Sequence, residues 1–185
     1  KRRGVAGMVY AFKTAGAAAE EGRDLDAVTA VAQKTADSCR SIGVALSPCT
    51  VPQAGKPTFE IADDEIEMGM GIHGEPGIWR GKLRTADEIA TEMMERLLAD
   101  MPLSGGDKVS VMVNSLGATP PEELYILYNK VKEALEASGA SIVMPLVGRY
   151  ATSMEMAGVS FTICKLDDEL ESLLKAPCDC AFWRV

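Results

Sequence analysis

The order of segments predicts an α/β fold: a two-layer arrangement with a mixed sheet of about five to six strands, preceded by two helices. Three observations carry this expectation. Residues 65–73 alternate between apolar side chains and polar or glycine positions, the period of a strand. Two segments with helix-start signals follow, opening at Thr85 and Pro120. Between and after them lie the short apolar runs 108–114, 140–148 and 158–166. The 185 residues amount to one domain, read as 1–185.

The first helix is expected from about Gly4 to Glu20, rich in alanine and ended by Gly22 as a C-terminal cap. The second runs from about Leu25 to Ser41, with Asp24 as N-cap and Gly43 as its stop. Residues 43–52, GVALSPCTVP, read as a short buried strand broken by Pro48 and Pro52. FEIADD, residues 59–64, reads as a short strand or turn. In the strand from Glu65 to His73, Ile66, Met68, Met70 and Ile72 are expected to face the core. Glycines and His73 occupy the opposite face, and Gly74-Glu75-Pro76-Gly77 is the turn that stops it. Thr85 and Glu88 form a capping box for the next helix. A helix begins at the proline pair 120–121 and stops at Gly139, and a short last helix occupies DDELESLLK. The tail APCDCAFWRV reads as irregular.

Composition narrows the function. Apolar residues make up 47% and charged residues 25%, enough to build a core and too hydrophobic for disorder. No run approaches the roughly 20 apolar residues of a membrane span. The net charge of −8 argues against a nucleic-acid partner. The one basic cluster, Lys1-Arg2-Arg3, is too short for such an interface. The five cysteines (Cys39, Cys49, Cys164, Cys178 and Cys180) fit no zinc spacing, and reduced thiols in a cytoplasmic protein are expected. The chain has no initiator methionine and no signal peptide, and a preceding segment is expected to be missing.

GMGIHG matches G-x-G-x-x-G at Gly69, Gly71 and Gly74. The dinucleotide reading requires the third glycine to open a helix, whereas Glu75-Pro76-Gly77 follows. No P-loop is present. His73, the sole histidine, is the candidate reactive group: a neutral imidazole nitrogen is a nucleophile near neutral pH, and the flanking Gly71 and Gly74 remove bulk around it. Glu67 and Glu75 flank it, and either can orient the ring through its second nitrogen. Without a second histidine, a metal site is not expected.

Several strings together carry a resemblance: RRGVAGMVYAFKTAGAAAEEG, GVALSPCTVP, AGKPTFEI and above all EMGMGIHGEPG, with LDDELESLLKAPCDCAFWRV at the end. They resemble the dihydroxyacetone kinase family, more narrowly the C-terminal half of its substrate-binding subunit, over essentially the whole chain. The resemblance implies that His73 bonds covalently, as a hemiaminal, to the carbonyl carbon of dihydroxyacetone or a similar short ketose. It implies a two-domain subunit whose N-terminal domain, absent here, carries a second histidine and an aspartate as acid/base groups. It implies a homodimer in the cytoplasm. It implies no cofactor on this domain; ATP, or ADP recharged by a phosphoprotein, sits with Mg on a separate helical nucleotide-binding domain or subunit. The close of the chain suggests a free-standing subunit rather than a fusion. Two other readings remain: a carbonyl-binding sensor without turnover, and an oxidoreductase fragment resting on G-x-G-x-x-G alone.

Overall fold

The computed structural model describes residues 3–181 and 183–185. Lys1 and Arg2 of the basic start, and Phe182 of the tail, lie outside the described residues. The chain opens with helices α1 (Gly7–Glu20) and α2 (Leu25–Asp37), followed by strands β1 (Cys39–Ala45), β2 (Glu65–Met68) and β3 (Trp79–Lys82). Helix α3 (Ala86–Asp100), strand β4 (Lys108–Ser115), helix α4 (Pro121–Ala137), strands β5 (Ser141–Gly148) and β6 (Gly158–Leu166), and helix α5 (Asp168–Lys175) complete it. The six strands form one sheet in the order β3-β2-β1-β6-β4-β5. Only β4 and β5 run parallel, joined through α4; every other neighbouring pair is antiparallel.

The strand period of two sends alternate side chains of β4 and β6 to opposite faces. Val109, Val111, Val113, Val159, Phe161 and Ile163 pack in one core with Met93, Met94 and Leu97 of α3 and Leu124, Val131 and Leu135 of α4. Met112, Cys164 and Leu166 join a second core with Ala6, Tyr10, Leu170 and Leu174. Helices therefore cover both faces, α3 and α4 on one, α1 and α5 on the other. The α/β class and mixed six-stranded sheet are as expected, with a third layer beyond the two foreseen. Met112 has residues of α1 and α5 as its partners, so α1 lies on the sheet, while α2 packs on α1 and α5 through Val31, Ala18 and Leu173.

Polar groups inside the second core are paired. The Tyr10 hydroxyl lies 2.8 Å from Ser110 Oγ, and Ser110 Oγ donates to the Met144 carbonyl at 2.6 Å. Burial drives the Tyr10 phenol well above its ordinary pKa, so it stays neutral. Lys13 Nζ donates to the carbonyls of Leu173 and Ala176 at 2.8 and 2.7 Å, satisfying acceptors at the C-terminal end of α5. Trp183 stacks edge-on against Tyr10 at 5.9 Å between ring centroids. The tail is thus more ordered than expected: Asp179 bridges to Arg184, and Cys178 pairs with Val185.

Several boundaries differ from the sequence expectation. The second helix stops at Asp37, because Cys39–Ala45 pairs with β6 over seven positions. A continuous ladder satisfies those backbone groups in place of another helical turn. FEIADD is not a strand but ends in a turn at Asp63–Asp64, the second of the two forms expected, whereas Trp79–Lys82 is a strand that the sequence reading passed over. Its partner is β2, with Glu67 opposite Arg80 and Glu65 opposite Lys82. Opposite charges facing across an antiparallel pair favour that register.

Candidate active-site loop

The expected strand from Glu65 to His73 ends at Met68. Gly69 has φ +82°, a left-handed conformation that breaks the alternation. Met68 belongs to the α3/α4 core, while Met70 packs with Val5, Cys49, Leu116 and Met156. His73 accordingly stands in the loop between β2 and β3, not at the end of a strand. The backbone leaves the sheet at Gly69, whose N–H donates to the Gly43 carbonyl at 2.6 Å, and re-enters where Ile78 N–H donates to the Met68 carbonyl at 2.6 Å.

Two carboxylates anchor this loop, in different places. Glu67, only 7% exposed, accepts from Gly77 N–H at 2.6 Å and from Arg80 Nε at 2.9 Å. It fixes the loop's far end and does not meet the histidine in any hydrogen bond given by the structure. Glu75 does. Its Oε1 lies 3.2 Å from His73 Nδ1, and its Oε2 accepts from His73 N–H at 3.0 Å. Burial acts to raise the Glu75 pKa, but hydrogen bonds from its own backbone and from the backbone and ring of His73 outweigh it. The carboxyl is held below its ordinary range, hence ionised at neutral pH. The His73 side chain is 78% exposed, an imidazole held on one edge and open on the other.

Two residues of the loop environment were not assigned these roles from sequence. Gly71 was read as relieving bulk around the ring; a Cβ there would instead lie 2.1 Å from Glu75 Oε2, so the glycine makes room for the carboxylate. Arg3, read only as part of a basic cluster, donates through its guanidinium to the Pro76 carbonyl at 2.7 Å. An exposed Arg-to-carbonyl bond across 73 residues has no sequence signature. The turn at Gly74-Glu75-Pro76-Gly77 was legible, but the returning strand β3 was not read from the sequence.

Two concavities border the loop. A groove of about 860 Å³ is lined by Arg3, Gly43, Gly69, Met70 and Ile78 among others. A cleft of about 1060 Å³ between α1 and the tail is lined by Phe12, Ile72, Tyr150 and Trp183 among others. Gly74 is followed by β3, and the next helix begins at Ala86, so G-x-G-x-x-G does not open a helix here. Cys49 is buried, with Sγ 3.3 Å from Ser153 Oγ, and is not displayed for reaction. Among the described residues no three His, Cys, Asp or Glu side chains cluster as a metal site, and no helix is long and apolar enough to cross a membrane.

The Dak1 domain profile matches residues 1–182. The chain belongs to the Dak1 domain family. A PTS-dependent dihydroxyacetone kinase 2, dihydroxyacetone-binding subunit DhaK, from Listeria innocua is 48% identical over 184 residues, covering 100% of this chain and 56% of the relative. The chain therefore spans about half the length of that Dak1 relative. Among solved structures, the dihydroxyacetone kinase operon co-activator Dha-DhaQ superposes with a TM-score of 0.87 at 35% identity, over 95% of this chain and 55% of that one. The dihydroxyacetone kinase from C. freundii, in complex with AMP-PNP and Mg2+, superposes with a TM-score of 0.86 at 32% identity, over 98% of this chain and 33% of that one. Dak1 membership and these superpositions fix the fold and the family.

Proposed function

We propose that this chain is the C-terminal, substrate-anchoring part of a dihydroxyacetone kinase subunit, and that His73 holds a short ketose covalently while a terminal hydroxyl is phosphorylated. The observation that carries the reading is the His73 imidazole: exposed, on a loop tied at Gly69, Pro76 and Gly77. In the bond-forming step Nε2 adds to the carbonyl carbon. The C=O π pair moves to oxygen, which takes up a proton, and the ring loses its other N–H proton. The product is a neutral hemiaminal containing the whole substrate, with no water released.

This chemistry selects by functional group. Glycerol presents the same terminal hydroxyls but no carbonyl, so it forms no adduct. One hydrogen bond or methylene discriminates by about 1–3 kcal/mol; a bond that only a carbonyl can form discriminates further. The adduct also fixes the hydroxyl for transfer, converting an encounter into an intramolecular arrangement.

In the same reading the N-terminal domain supplies the acid/base groups. ATP, or ADP recharged by a phosphoprotein, is held with Mg on a separate helical nucleotide-binding domain or subunit. The complete subunit is a cytoplasmic homodimer. A second reading, a carbonyl-binding regulator without turnover, is favoured by the similarity to the operon co-activator. The Listeria binding subunit, at higher identity, weighs toward the kinase.

The test is gentle intact-mass analysis of the complete subunit with and without dihydroxyacetone, beside His73→Ala. The expected result is a gain of one whole substrate mass, absent in the variant. No gain in either protein sinks the covalent reading. A gain without phosphorylation, when donor components are supplied, selects the regulator.

A further inference from the structure

We propose that Glu75 is the positioning residue that decides which ring nitrogen of His73 carries the proton, leaving Nε2 as the nitrogen with the lone pair. An ionised carboxylate only accepts hydrogen bonds. With Glu75 Oε1 3.2 Å from Nδ1, the neutral ring is held with its proton on Nδ1. The second oxygen accepts from the His73 backbone N–H at 3.0 Å, so one carboxylate grips the residue at two points.

The approach is built into the backbone. Gly71 leaves open the volume that Oε2 occupies, since a Cβ there would lie 2.1 Å away. The remaining charged groups given near the loop are committed elsewhere: Arg3 to the Pro76 carbonyl, and Arg80 to Glu67, which holds Gly77. Glu75 is the carboxylate that the structure pairs with the ring.

The consequence for reaction rests on the hemiaminal reading above. As the Nε2–carbon bond forms, positive charge develops on the ring while the carbonyl oxygen gains the electron pair. Glu75 stabilises that charge and receives the Nδ1 proton, which passes to solvent; the oxygen takes a proton in exchange. The reverse sequence releases the ketose.

The test does not require a substrate. In ring 15N NMR of the histidine-labelled complete subunit, the His73 signals are identified as those missing from His73→Ala, since His73 is the one histidine of this chain. At a pH where imidazoles are neutral, the expected spectrum of the unmodified chain is a dominant Nδ1–H tautomer. Glu75→Gln should lose that dominance. Gly71→Ala, which keeps the carboxylate but displaces it, should do the same, and both should slow adduct formation by about tenfold or more. A dominant Nε2–H form in the unmodified chain, or a tautomer ratio unchanged in both variants, overturns the assignment. If the tautomer behaves as expected but no ketose mass is gained, the covalent reading of His73 fails and Glu75 keeps its role.

Discussion

The centre of the sheet and the loop from Gly69 to Ile78 reach order by opposite means. Strands β1, β6 and β4 are held by long backbone ladders and by side chains buried on both faces, with Phe161 and Val111 fully enclosed. The loop buries little around His73. It is fixed by polar ties between side chains and backbone: Glu67 to Gly77, Glu75 to His73, Arg3 to Pro76. A group that must meet a small polar substrate cannot be buried among apolar side chains, so its position is set by acceptors and donors instead. The sheet makes this workable, because Glu67 belongs to β2 and Arg80 to β3, each in ladder register with the other.

Substitutions on the two sides of this comparison should separate. His73→Ala has the largest expected effect: complete loss of ketose adduct and of phosphorylation, with the thermal midpoint unchanged within error. An adduct that survives in this variant would place the reactive group elsewhere. Next in size, Phe161→Ala should destabilise the fold by about 3–5 kcal/mol through lost burial and a cavity, measured by denaturant unfolding. A loss below about 1 kcal/mol would mean that the central core can collapse around the site.

Glu67→Gln lies on the boundary between the regions. It weakens the tie to Gly77 N–H and removes the charge facing Arg80, at an expected cost of about 1–3 kcal/mol. Hydrogen exchange should rise in residues 69–78 before it rises in β4 or β6. Simultaneous loosening of both would show that the loop is not an independent unit. Lys13→Met, on the opposite side of the sheet, should cost about 1–3 kcal/mol by leaving the Leu173 and Ala176 carbonyls without this donor. Adduct formation should be unaffected.

The smallest expected effect is that of acid on the loop. The Glu75 carboxyl is held below its ordinary value, so its grip on His73 is fully present above the usual carboxylate range, about 4.3, and is lost as pH falls through the lowered folded value. Amide exchange at His73 should report this transition, and Glu75→Gln should abolish it.

Sequence legibility follows the same division. Features set by local chemistry were readable: the Thr85–Glu88 capping box, the Asp24 cap of α2, and the stop at Gly139 are all present. Apart from β3, the order of helices and strands was readable because period and turn residues announce it. What failed depends on partners distant in the chain. Cys39 to Ser41 continue a helical pattern until β6 claims them as a strand. Met70 keeps the alternation of Met68 on paper, but Gly69 turns it into a different core. At the candidate site, His73 was singled out by its isolation among glycines. Glu67 and Glu75 were indistinguishable as flanking acids, because only the hairpin register decides that one faces Arg80 and the other the ring.

The two outer strands of the sheet bear on how copies of the subunit would meet. At one margin β3 is four residues long and carries Arg80 and Lys82; at the other, β5 contains Pro145. Short charged borders and a proline without an N–H discourage a further strand from joining. The sheet is in this sense self-limiting: growth from chain to chain by hydrogen bonding along its rim is disfavoured at both ends.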